Sequence, residues 1–355
     1  MTKNDSADGI DQYYMNAIRK ERLITHLVSV AVSGILSGIF LLFLAGFSRA
    51  NFIFGFLIGI QAYAWISLFS FFIERKMQRW NLLFSVIISA VSHIILLVFS
   101  VFISFEIMNS FSISLSMFFR ITEESSGLII RGLVFGFALS LLFQIYEIFD
   151  AVLGKSIFPG ILLGRYDHPF EEERVFMFLD MESSTSLAEK LGHKEFLSLL
   201  NDFFSDLAEP VTSSKGRIYK YVGDEAIITW NKRKARKNSA PLGCYFNIKD
   251  RFIKKQSHYE KRYGFVPGFR AALHGGRVVT GKMGLVKKEI AHIGDVMNTS
   301  ARMLDICREL KKDFIVSGDA LDMINPSSLY NISPIGGIAL RGKEKPVSLF
   351  YAEMA

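Results

Sequence analysis

Cysteine is nearly absent from this chain. Its two copies, Cys244 and Cys307, are isolated in sequence. They form no metal-type pair and no disulfide framework, and they suit a reducing compartment. The N-terminus lacks the short basic region and small-residue cleavage site of a secretory signal, so the first apolar run is expected to remain as an anchor. Charge is the other scarcity, and it is local. Residues 23–149 are nearly free of it, whereas residues 165–355 read as an ordinary soluble sequence. An apolar bias confined to one half means a membrane part joined to a globular part.

The apolar half holds four runs long enough to cross a bilayer, about 23–47, 51–73, 82–105 and 127–149, since a helical span takes roughly 20 residues. Residues 106–119 are apolar but short and Ser-rich, which predicts an interfacial helix or packed outer loop. Basic clusters at Arg19, Lys20 and Arg22, and at Arg75, Lys76 and Arg79, place both chain ends in the cytoplasm. Gly34/Gly38, Gly55/Gly59 and Gly132/Gly136 each leave a flat stripe on which helix backbones approach closely. The expected organisation is a cytoplasmic segment 1–22, a four-helix transmembrane domain 23–149, a connector 150–173 broken by Pro159-Gly160 and Pro169, and a soluble domain 174–355.

The formal charge of +7 is compatible with nucleic-acid binding, but much of the excess flanks the spans, and no nucleic-acid partner is expected. The soluble run Lys232–Lys237 reads either as a solvated helix start or as a binding patch. Alternating strands (174–179, 216–222, 226–231, a pair within 267–282, and short strands near 313–317, 336–341 and 347–352) with helices (185–207, 236–262, 297–310) predict an α+β sandwich of the ferredoxin-like type.

Three segments carry chemistry. In Phe176-Met177-Phe178-Leu179-Asp180-Met181-Glu182-Ser183-Ser184-Thr185 an apolar strand ends in a carboxylate just before a helix. That arrangement suits a metal-bound polyphosphate, although an Asp there also serves as a plain helix cap. In Tyr219-Lys220-Tyr221-Val222-Gly223-Asp224-Glu225 a tight hairpin carries a second carboxylate. Asp224 there reads either as a plain turn residue or, if brought close to Asp180, as half of a carboxylate pair that holds the metals of in-line phosphoryl chemistry. In Gly294-Asp295-Val296-Met297-Asn298-Thr299-Ser300-Ala301-Arg302, an amide and a guanidinium lie at i and i+4 on one helix face.

Together with Phe269-Arg270-Ala271-Ala272-Leu273-His274-Gly275-Gly276-Arg277-Val278 and Leu340-Arg341-Gly342-Lys343, these segments resemble class III adenylyl and guanylyl cyclases over about 174–352. The resemblance implies metal binding by Asp180 and Asp224, with the Met181 backbone carbonyl, and two Mg²⁺ (or Mn²⁺) ions per site. It implies phosphate contacts from Thr185, Arg270 and Arg341. Lys220 matches the adenine-reading lysine, Asn298 the ribose-positioning asparagine and Arg302 the transition-state arginine. A second base-selecting residue is expected three positions before Gly294, where this chain has Ala291 followed by His292. Arg341 stands where the family commonly has lysine, which keeps the charge and changes its shape.

The implied reaction is conversion of ATP to 3′,5′-cyclic AMP and pyrophosphate, with sites shared across a homodimer in a bacterial inner membrane and the catalytic domain in the cytoplasm. Guanylyl cyclase activity, or a membrane receptor with a non-catalytic cyclase-like domain, is the alternative. A diguanylate cyclase is disfavoured because it does not predict the Asn298/Arg302 pair. A nucleotide-binding channel is disfavoured because the spans carry almost no charge. Whether the membrane part senses a signal or only anchors stays open.

Overall fold

The computed structural model describes residues 27–28, 30–43, 47–69, 82–111, 145, 149, 157–341, 343 and 345–355. The chain divides into two compact units, Met1–Ile148 and Phe149–Ala355.

In the first unit, helices α1 (Val30–Phe43), α2 (Arg49–Phe69) and α3 (Leu82–Ser110) overlap three of the four expected spans. The fourth, 127–149, and the Gly132/Gly136 pair fall outside the described residues, apart from Ile145 and Phe149. Among the described residues one helix, Ala90–Ser110, is long and apolar enough to cross a membrane. Helix α3 runs through Ser110, so 106–110 extends the third helix and is not a separate interfacial segment. The remainder of 106–119, past Phe111, lies outside the described residues.

Two glycine pairs do what their spacing suggests. A Cβ on Gly55 would lie 2.5 Å from the Ser37 carbonyl oxygen, and one on Gly59 2.5 Å from that of Ser33. Gly34 and Gly38 press in turn on the Phe56 and Phe52 rings. The Ser33 hydroxyl donates to the Gly59 carbonyl at 3.0 Å, and Gln61 Nε2 donates to Ser104 Oγ at 2.9 Å, tying α2 to α3.

Among the described residues of the second unit the first element is α4 (Ile157–Leu162), and the unit is built on one sheet. Its strands are β1 (Phe170–Met181), β2 (Arg217–Val222), β3 (Glu225–Asn231), β4 (Phe269–Met283), β5 (Glu289–Ile293), β6 (Phe314–Ser317), β7 (Tyr330–Ile338) and β8 (Val347–Met354). The order is β2-β3-β1-β4-β6-β8-β7, with β5 paired to the far part of β4. The helices are α5 (Ser184–Ser213), α6 (Lys232–Arg236), α7 (Ala240–Lys254), α8 (Gln256–Tyr263), α9 (Asp295–Glu309) and α10 (Gly318–Ile324).

Strand β1 shows why its sequence is apolar without alternation: both its faces are covered. Val175, Met177, Leu179 and Met181 enter one core with Leu199, Phe203 and Leu207 of α5 and Leu242, Tyr245 and Phe252 of α7. Phe176 and Phe178 enter the other with Val296, Met303, Leu304 and Cys307 of α9. Each such buried side chain contributes about 1.5–3 kcal/mol of transfer free energy.

Three expectations need correction. Glu171–Glu173 belong to β1, not to a connector, because that end of the strand pairs with β4 through Phe170↔Thr280 and Glu173↔Arg277. The expected strand pair within 267–282 is a single 15-residue strand whose far half pairs with β5. The expected helix 236–262 is interrupted: Asn238 and Ser239 adopt left-handed φ of 56° and 49°, and α7 ends before α8 at Lys255.

Candidate active site

The site forms where β1 ends. Asp180 pairs with Glu225 of β3 on one side and with Arg270 of β4 on the other. The Met181 N–H donates to the Asp224 carbonyl at 3.4 Å, which brings the β2–β3 turn against the end of β1. The turn needs Gly223 at a left-handed φ of 64°, a conformation glycine adopts at little cost.

The two carboxylates expected to act together therefore meet. Burial raises the Asp180 pKa to about 6, helped by the charge of Asp224 and a hydrogen bond with it, while Arg308 opposes the rise. Glu225 is raised to about 7, first by burial and then by Asp180, Asp224 and Asp305. Arg308 Nη2, from the last turn of α9, lies 3.4 Å from Asp180 Oδ2. Three acids pressed together with one exposed cation form a site deficient in positive charge.

That deficit is what a divalent cation would satisfy. Among the described residues no group of three or more His, Cys, Asp or Glu side chains is arranged to hold a metal. The donor set here is two carboxylates plus backbone oxygen, and it fits Mg²⁺, which binds through one or two carboxylates and completes its shell with water and substrate phosphate.

Beyond Met181, Glu182 turns the chain with its N–H on the Gly268 carbonyl at 2.9 Å. Ser183 then adopts a left-handed φ of 56° and caps α5 without a side-chain hydrogen bond. The plain-cap reading of this segment therefore fails. The first N–H groups of α5, including that of the exposed Thr185, remain available to an anion. Arg270 is half-buried, with Nε 2.9 Å from Glu182 Oε1, so it sits beside Asp180 with part of its donor fork engaged.

The remaining expected residues stand apart from this cluster. Asn298 is exposed and Arg302 half-buried on the outer face of α9, and neither makes a side-chain hydrogen bond or ion pair among the described residues. Lys220 follows a bulge in β2 at Tyr219, a device that re-aims a side chain. Its ammonium meets Glu289 Oε2 at 2.6 Å.

Ala291 is buried in β5, opposite Gly281. His292 faces the interior. Its side chain is fully covered, its ring lies 4.8 Å from Tyr219 and 5.7 Å from Phe176, and burial lowers its pKa to about 3. Arg341 is exposed, and Lys343 two residues later is ion-paired with Asp295 at the start of α9. Sequence reasoning missed Glu225, Glu289 and Arg308. Glu225 adjoins a chosen residue, and Glu289 is two positions before one on the same strand. Nothing in the sequence marks Arg308.

Residues 168–353 match the adenylate and guanylate cyclase catalytic domain family, more than half of the 355 residues. The chain belongs to this family. Adenylate cyclase 2 of Rhizobium meliloti (strain 1021) is 37% identical over 198 residues, covering 56% of this chain and 54% of that protein. An uncharacterized protein of Mycobacterium tuberculosis (strain ATCC 25618 / H37Rv) is 23% identical over 210 residues, covering 58% of this chain and 36% of that protein. The chain thus spans about half the length of the Rhizobium relative and about a third of the mycobacterial one. A bacterial light-regulated adenylyl cyclase shares the fold, with TM-score 0.52, 19% identity, and 65% of this chain and 66% of that chain covered.

Cavities of about 450 Å³ and about 390 Å³ open elsewhere on the cyclase domain, and neither is lined by Asp180 or Asp224. The carboxylate cluster is half-buried, and among the described residues the exposed Asn298 and the half-buried Arg302 make no side-chain hydrogen bond or ion pair.

Proposed function

We propose that this protein is a membrane-anchored adenylyl cyclase, converting ATP to 3′,5′-cyclic AMP and pyrophosphate at two sites shared across a homodimer. The observation that carries the reading is the Asp180/Asp224 pair held at the mouth of an uncapped helix, within a domain of the cyclase family. The named Rhizobium relative supports ATP as substrate, and Lys220 supports it further. Asn298 and Arg302, which have no side-chain partner among the described residues, support a second copy closing the site, because two-fold symmetry makes each copy supply what the other lacks.

In this reading Asp180 and Asp224, with the Met181 carbonyl, hold two divalent ions, Mg²⁺ or Mn²⁺. Bound there, the ions supply a lowered pKa for the attacking hydroxyl and neutralise triphosphate charge. The N–H groups around Thr185, with Arg270 and Arg341, hold the β- and γ-phosphates. Asn298 of the facing copy orients the ribose, so that its 3′-oxygen forms the new bond to the α-phosphorus as the bond to the pyrophosphate oxygen breaks. Arg302 places a permanent cation where charge builds on the phosphoryl oxygens. Lys220 meets the base edge. His292 contributes indirectly, since its backbone N–H donates to the Tyr219 hydroxyl at 3.2 Å beside Lys220.

The helices of the first unit and the basic clusters flanking them support a multi-pass bacterial inner-membrane anchor with the catalytic domain in the cytoplasm. Purified protein offered ATP and GTP separately, with divalent metal, tests the proposal. Cyclic AMP formation lost in Asp224→Asn is expected. Turnover of neither nucleotide would favour the non-catalytic reading, and preferred turnover of GTP the guanylyl one.

A further inference from the structure

We propose that Glu289 supplies the hydrogen-bond acceptor by which this site tells adenine from guanine, from a position two residues before Ala291. The inference rests on the cyclase reading with Lys220 at the base edge. An ammonium donates three hydrogen bonds and accepts none. Adenine presents an acceptor, N1, beside a donor amino group, whereas guanine presents the acceptor O6 beside a donor N1–H. A lone lysine therefore serves adenine N1 or guanine O6 equally well. Discrimination needs an acceptor next to it, and Ala291 has none.

Glu289 fills that role by geometry. Its Oε2 lies 2.6 Å from Lys220 Nζ and its Oε1 2.9 Å from Lys287 Nζ. Side chains alternate along a strand, so Glu289 and Ala291 share one face of β5 and His292 takes the other. Both members of the pair remain reachable, with side-chain exposures of 42% for Lys220 and 30% for Glu289.

The pairing is fixed by buried structure, not by a loose loop. The Tyr219 hydroxyl accepts from the His292 N–H, the Tyr219 and His292 rings are in contact, and Thr280 Oγ1 lies 2.7 Å from His292 Nδ1 while donating to Glu172 at 2.6 Å. The two lysines hold the Glu289 carboxyl ionised, with its pKa lowered to about 2, the hydrogen bond with Lys220 first and that with Lys287 second. An ionised carboxylate accepts and cannot donate. It therefore welcomes the adenine amino group and opposes guanine O6 across an unmatched acceptor pair.

The test compares kcat/KM for ATP, GTP and purine riboside triphosphate, which is ATP without its 6-amino group, on the full-length protein in detergent. The wild type is expected to prefer ATP over both. Glu289→Ala is expected to bring the ratio of ATP to purine riboside triphosphate down by about tenfold or more, because the amino group loses its acceptor. Glu289→Gln, whose amide also donates to O6, is expected to raise GTP turnover relative to ATP. If Glu289→Ala lowers all three substrates by one factor, or if neither variant changes either ratio, Glu289 is only structural and the inference is overturned. Glu289→Gln preserves size and guards against misfolding, with thermal melting as the check. A wild type that turns over none of the three overturns the cyclase reading itself, which separates the two failures.

Discussion

At the residue scale, the site stores its need for positive charge in three acids. Asp180 is raised to about 6 and Glu225 to about 7 by burial and mutual repulsion. A carboxyl whose folded pKa lies above its unfolded value stabilises the fold below the unfolded value and loses that contribution as pH rises through the folded one. In chelator, the wild type should therefore lose thermal stability relative to Asp180→Asn between about pH 4 and about pH 7, the span from the ordinary to the shifted values. Parallel melting curves across that span would refute the assignment. Lys220→Glu makes the complementary test. It replaces the donor proposed to face the base and sets two carboxylates against each other with Glu289, so ATP turnover should fall far more than GTP turnover. Equal losses would mean that Lys220 serves the fold alone.

At the element scale, the α1–α2 pair depends on the glycines at its seam. A Cβ on Gly55 would meet the Ser37 carbonyl at 2.5 Å, a backbone atom that cannot rotate away. Gly55→Leu should weaken the helix pair by about 1–3 kcal/mol, the usual cost of overpacking. Thermal melting in detergent with a reporter on the first unit checks it, and an unchanged midpoint would show that the helices do not meet there. Helix α9 shows the same dependence of role on face. Its buried stripe of Val296, Met303, Leu304 and Cys307 anchors it to the sheet. Asn298 and Arg302 then stand at its surface, and Arg308 reaches its own chain's Asp180.

At the scale of the whole molecule, the proposal assigns Asp180 and Asp224 to one site and Lys220, Asn298 and Arg302 of the same chain to the other. Under that proposal Lys220 and Asp224, neighbours on one hairpin, serve opposite sites. Asp224→Ala and Arg302→Ala should each be nearly inactive as homodimers, because metal binding and transition-state charge are both required. Co-expressed, they should recover activity in mixed dimers, which carry both lesions in one site and neither in the other. Cyclic nucleotide formation by purified mixed dimers measures it. Mixed dimers as inactive as their parents would mean that each domain houses a complete site.

The sequence by itself determined the division of the chain and the identity of the chemical groups. Charge depletion over 23–149 marks the apolar half, and the motifs bearing Asp180, Asp224, Asn298 and Arg302 carry the resemblance to a cyclase domain, because such signals are local or ordered along the chain. It also marked the glycine seams, since i, i+4 spacing is a local property of helices. Only the tertiary structure decided which groups meet. Glu171–Glu173 read as part of a connector until β4 supplied their partners. His292 stood beside the expected base-selecting position, and only the packing of β5 set its ring against Tyr219 and Phe176. Glu289 and Arg308 carried no signal, because an ion pair between residues 69 or 128 positions apart (Lys220–Glu289, Asp180–Arg308) exists only once the strands and helices that bear them have packed.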